Sequence, residues 1–219
     1  MPIDANPGVV GRAADALAPT TRVLLGGPRV ESAGSRTVVR NAATLVASDG
    51  AVRAVYAKRR LTHFGEYVPV FAQPFSTARD VYAPAGGSGV LVLDGHRLGV
   101  TICAEAIDAA LVRADVRGGA ELLVNLAHDG WFADAAARRQ HFHAAQLRAV
   151  ENRRALVRAT SDGVSAIVDP RGVPLAEAPV GVPATLAATV PLLDAPTLYT
   201  RVGDVFGWAC VILAIAMLV

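Results

Sequence analysis

Covalent chemistry needs a nucleophile that is held still, and one stretch of the sequence offers it: His96 to Asp108, HRLGVTICAEAID. An apolar run through Leu98, Val100 and Ile102 stops at Cys103, and Ala104-Glu105-Ala106 then favours helix, so the thiol is expected where a strand hands over to a helix. The first amides of such a helix are unpaired and partly positive. They favour a thiolate and can receive an oxyanion. The plainer reading of the same residue is a small buried hydrophobe, and Cys103 alone does not separate the two.

Periodicity and turn residues place the elements around it. Val9 to Leu17 reads as an amphipathic helix closed by Pro19, and Arg22 to Gly26 as a short buried strand that Gly26-Gly27-Pro28 breaks. Thr37–Leu45 and Val52–Tyr56 read as strands joined at Ser48-Asp49-Gly50, and the second delivers Lys58. RRLTHFGEYVPVFAQPF, from Arg59, is too rich in Gly, Pro and aromatic residues for regular structure and reads as a long functional loop. Val90–Leu93 and Arg97–Ile102 pair through Asp94-Gly95, Ala106–Val116 is helical, and Leu122–Leu126 is an apolar strand. Ala135–Arg154 carries the longest helical pattern, followed by strands at Ala155–Ala159, Val164–Asp169 and Leu186–Val190. Strand pairs alternating with helices imply a layered α/β domain whose sheet is partly antiparallel.

Composition narrows the classes. The 219 residues suit one domain, a net charge of +2 leaves no broad footprint for nucleic acid, and two distant cysteines give neither a disulfide framework nor zinc spacing. Only 18% of residues are charged against 53% hydrophobic, which hints at contact with a membrane. The N-terminal residues lack the charged and apolar regions of a signal peptide. Val205–Val219, uncharged and with Trp208 near its start, reads as the first part of a transmembrane helix; a buried C-terminal helix is the alternative.

Four stretches taken together resemble the nitrilase (carbon–nitrogen hydrolase) superfamily: Tyr56-Ala57-Lys58-Arg59-Arg60-Leu61, Phe64-Gly65-Glu66-Tyr67-Val68-Pro69, Ile102-Cys103-Ala104-Glu105, and Asn125-Leu126-Ala127-His128-Asp129-Gly130-Trp131-Phe132. The sequence is most similar to the membrane-bound branch, the apolipoprotein N-acyltransferases. Lys58 followed eight residues later by Glu66, Gln140-His141-Phe142 ahead of the long helix, and Leu198 to Asp204 running into an apolar helix carry that closer likeness. The resemblance implies a nitrilase-like α-β-β-α sandwich over residues 1–200, with the start of a C-terminal transmembrane helix at 201–219. It makes Cys103 the acyl-accepting nucleophile, Lys58 the lysine beside the developing oxyanion, and Glu66 the glutamate that supports them. Glu105 would orient the loop or the substrate, Tyr67 would support the site, and Trp131 and Phe132 would line a lipid-facing mouth or pack the core.

The reaction implied is transfer of a fatty acyl chain from a phospholipid, through a thioester on Cys103, to the α-amine of an apolipoprotein's lipidated N-terminal cysteine. It needs no metal or organic cofactor, since the thiol does the covalent step, and the domain would face the outside of the cytoplasmic membrane. Two departures stand out. Ala104 replaces the family's aromatic residue after the nucleophile. The family's general-base glutamate lies in a segment upstream of everything matched, so the sequence is read as N-terminally truncated; its first glutamate, Glu31, does not fit that role. The alternatives are a soluble amidase or nitrilase and an inactive truncated remnant. His141 and His143, two apart on a helix, point different ways and read as packing or surface residues rather than joint metal ligands. His128-Asp129 could belong to a Cys/His/Asp arrangement, though its context fits the nitrilase pattern better, and Ala85–Gly89 reads as a flexible connector.

Overall fold

Three strands make the first sheet, β1 (Arg22–Ala33), β2 (Arg36–Ala47) and β3 (Val52–Ala57), antiparallel and in that order, and Ala42–Ala47 of the central strand are buried throughout. The computed structural model describes residues 18, 20–33, 36–75 and 82–218, so the helix expected over Val9–Leu17 lies outside the described residues. The break expected at Gly26-Gly27-Pro28 does not occur. β1 runs through it with Pro28 opposite Asn41, because β1 is an edge strand and a missing N–H can face away from the ladder.

The second sheet has six strands, β4 (Val90–Leu93), β5 (His96–Ile102), β6 (Leu122–Ala127), β7 (Ala155–Thr160), β8 (Ala166–Val168) and β9 (Pro174–Glu177), in sequence order. β5, β6 and β7 are parallel, joined by α1 (Ala109–Arg117) and α2 (Ala135–Asn152); the flanking pairs are antiparallel. The central strands are covered on both faces, so they read as nearly continuous apolar runs. On one face the helices supply Val112, Val116, Phe142, Ala145 and Ala149 against Leu123 and Leu156. On the other, Leu98, Val100 and Ile102 meet Ala43 and Tyr56 of the smaller sheet. The described residues thus form three layers of the expected sandwich: helices, large sheet, small sheet.

One expectation at the C-terminal end is corrected. Leu186–Val190 is not a strand; it lies in an irregular segment where Pro179, Pro183, Pro191 and Pro196 remove backbone donors. That segment is tied down by Arg154, whose buried guanidinium donates to the carbonyls of Ala120, Asn152, Asp194 and Ala195 at 2.7–3.0 Å. After a short α3 (Leu198–Val202) comes α4 (Val205–Ala216), an uncharged helix with no buried side chain. The partial span expected over 201–219 is therefore present as an exposed apolar helix only. Its 12 residues reach about 18 Å, against about 30 Å of hydrocarbon, and no helix among the described residues is long and apolar enough to cross a membrane.

Candidate active site

Cys103 follows the last residue of β5 and opens a single 3-10 turn, Cys103–Ile107, rather than an α-helix. Its φ of 52° is left-handed, a conformation that costs a non-glycine residue about 1–2 kcal/mol and persists only where the surroundings impose it. Glu105 does much of the imposing. Fully buried, its carboxylate accepts from Ile102 N (2.8 Å) and Tyr56 Oη (2.6 Å) with one oxygen, and from Arg59 N (2.7 Å) and Arg60 N (2.9 Å) with the other. One side chain thus locks the cysteine turn to the residues just after Lys58.

Lys58 stands at the end of β3 and only 1% of it is exposed. Its Nζ lies 2.5 Å from Glu66 Oε2 and donates to Thr62 Oγ1 at 3.2 Å. Glu66 also accepts from Asn41 Nδ2 (2.9 Å) and Thr62 N (2.7 Å). Burial by itself would raise its pKa, but the hydrogen bonds from Lys58, Asn41 and Thr62 outweigh that and hold the carboxyl below its ordinary value. A carboxylate so satisfied is a weak proton acceptor, and its contact with Nζ fixes the position of the Lys58 side chain.

Burial pushes the Cys103 pKa up, and the neighbouring Asp129 adds to it; Lys58 and hydrogen bonds from the backbone amides of His128 and Ala104 oppose the shift without reversing it. The net shift favours the neutral thiol.

Cys103, Lys58 and Glu66 open on one cavity of about 990 Å³. Leu24, Ile102, Leu126, Phe132 and Leu186 give it apolar walls, and Ala104, without an aromatic ring, leaves the space beside the sulfur open. Trp131 also lines the cavity while remaining 74% exposed, and Phe132 packs edge-on against His141 at 5.5 Å. Tyr67 does not line the cavity; its ring packs on His63 at 5.1 Å. Glu31 does not line it either and pairs with Arg40 at 2.7 Å, in keeping with its exclusion as a base.

Sequence reasoning missed a buried polar group behind Cys103. Arg158 on β7 lies 2.7 Å from Asp129 and donates to Asn125 Oδ1; Asn125 Nδ2 donates to Cys103 O at 3.3 Å. His141 Nδ1 lies 2.9 Å from Asp129 Oδ1, whereas His128 faces Ser161 and Asp162. The legible signal was a polar residue inside each apolar strand, Asn125 in LLVNLA and Arg158 in ALVRAT. Cys103, Asp129 and His141 each place a potential metal-binding atom within 4.8 Å of the others. Both Asp129 oxygens are already bonded, however, and a guanidinium 2.7 Å away repels a cation, so the cluster is an ion-pair network.

Residues 4–196 match the Carbon-nitrogen hydrolase family. Apolipoprotein N-acyltransferase of Geobacter metallireducens is 37% identical over 196 residues, 87% of this chain and 38% of that protein. The enzyme of the same name from Bradyrhizobium diazoefficiens is 33% identical over 238 aligned residues, 99% of this chain and 43% of that protein. The chain thus spans about two fifths of these relatives' length. Among solved structures, a mutant amidase from Nesterenkonia sp. AN1, with an acetamide moiety on its active-site cysteine, superposes with a TM-score of 0.60 at 24% identity, covering 81% of this chain and 64% of that one. A carbon–nitrogen hydrolase from Helicobacter pylori G27 gives 0.58 at 18% identity, covering 80% and 63%. With the family matched over most of its length and Cys103, Lys58 and Glu66 gathered at one cavity, the chain belongs to the carbon–nitrogen hydrolase family.

Proposed function

We propose that this chain is the acyl-transfer domain of an apolipoprotein N-acyltransferase. Cys103 attacks the ester carbonyl of a phospholipid, the acyl–oxygen bond breaks, and the deacylated phospholipid leaves with a proton. The thioester then yields its acyl group to the free α-amine of a lipoprotein's lipidated N-terminal cysteine, and the thiol is restored. Lys58, held by Glu66, and the amides of Ala104 and His128 lie beside the sulfur and stabilise the negative charge that develops there in each step. Glu105 keeps the cysteine turn and the lysine loop in register. Both steps need a base for the incoming nucleophile's proton, and Glu66 is too well bonded to be it.

The observation that carries this reading is the apolar cavity of about 990 Å³ at the sulfur, within the size range that takes a large, mostly apolar ligand. The name shared by the curated relatives supports the same substrates. The exposed apolar helix α4 supports a place at a membrane surface, on the extracytoplasmic side where the resemblance puts it. The test is transfer in mixed micelles from a palmitoyl phospholipid to a diacylglyceryl-cysteinyl peptide. The expected product is an amide, one palmitoyl heavier than the peptide and stable to hydroxylamine. Free fatty acid with no acylated peptide would instead support a hydrolase.

A further inference from the structure

Asp129 and Arg158 form an ion pair whose side chains are both 0% exposed, and it reaches the nucleophile by two routes. Through Asn125, Arg158 is linked to the carbonyl of Cys103; through the chain, Asp129 follows the residue whose amide points at the sulfur. The pair is tightly fitted. A Cβ on Gly163 would collide with the Asp129 carboxylate, so the loop before β8 closes over it with no room for a side chain. An oxygen of Asp129 lies within 4.8 Å of Cys103 Sγ, and a bare anion there opposes a thiolate. Among the described residues, the other charged and titratable groups around the sulfur are Lys58 with Glu66, His63 and Tyr82 across the cavity, Glu105 beneath the turn, His128 after β6 and His141 on α2.

We propose that Arg158 is a positioning residue for acyl transfer: bonded to Asp129 and Asn125, it offsets part of the charge of the carboxylate beside Cys103 and, through Asn125, holds the nucleophile's carbonyl in its left-handed turn. The inference rests on Cys103 being the acyl carrier. Its signature is one of sign. Removing the anion eases thiolate formation, whereas removing the cation that masks it hinders thiolate formation.

The test is the pH dependence of Cys103 alkylation by iodoacetamide, followed by peptide mass in a Cys210→Ser background because Cys210 is exposed. Asp129→Asn moves the midpoint of the rate profile down by about one pH unit, and Arg158→Gln moves it up by about as much. Arg158→Lys, which keeps the charge, restores the profile to within a few tenths. If Arg158→Gln does not fold, Asp129→Asn decides alone, and a downward shift supports the proposal. Midpoints that stay put, or that move the same way in both variants, overturn it. Alkylation needs no acyl donor, so failure to acylate a lipopeptide counts against the acyltransferase reading and leaves this result standing.

Discussion

Lys58 and Glu66 are each more than nine-tenths buried, and two charges taken that far out of water persist only as a pair. Glu66→Gln leaves the ammonium with Thr62 Oγ1 and a neutral amide as partners. We expect it to lose about 3–5 kcal/mol of stability, read from urea midpoints, and most of its acylation rate. The pH dependence has a definite sign. Glu66 titrates below its ordinary value in the folded state, so its stabilising effect is complete above the unfolded carboxylate value of about 4.3 and is lost as pH falls through the lower folded value. The stability difference between the parent and Glu66→Gln should therefore be largest near neutrality and shrink below about pH 4. A difference constant from pH 3 to 7 would mean that the carboxylate is not held by charge.

At the scale of elements, the site is a joint between two sheets. β3 brings Lys58, β5 brings Cys103, and Glu105 binds one to the other through four hydrogen bonds. Glu105→Gln turns one accepting oxygen into a donor facing donors, and should cost about 2–4 kcal/mol in thermal or urea unfolding while slowing Cys103 acylation. Much of this joint was legible. Apolar alternation ending at Cys103 located the elbow, and the loop from Lys58 to Glu66 stood out by its Gly, Pro and aromatic content. What was not legible is what tertiary structure decides. The turn after Cys103 is 3-10 because Glu105 folds back onto Ile102 N, which composition, favouring α-helix there, cannot reveal. β1 passes through Gly26-Gly27-Pro28 because it lies at an edge, and edge position is a property of the sheet. Asp129 lay beside His128 in sequence, yet α2 brings His141 to it instead.

At the scale of the whole molecule, the cavity sits between the two sheets while the apolar surface collects on α4, where Phe206 is 83% and Trp208 67% exposed. Arg154 holds the segment leading there through the carbonyls of Asp194 and Ala195 while also bonding Ala120 O ahead of β6, so α4 departs from a fixed point. Replacing Phe206 and Trp208 together with serine should leave the melting midpoint within about 2 °C, since neither supports the core, while co-flotation with phospholipid vesicles falls at least about tenfold. Unchanged flotation would move membrane contact elsewhere. The most direct test of the account is the intact mass of the protein after incubation with palmitoyl phospholipid, with Cys103→Ala as control. One palmitoyl adduct on the parent, mapped to Cys103 and released by hydroxylamine, is the predicted result. A folded parent that stays unmodified, or an adduct that persists in Cys103→Ala, would contradict it.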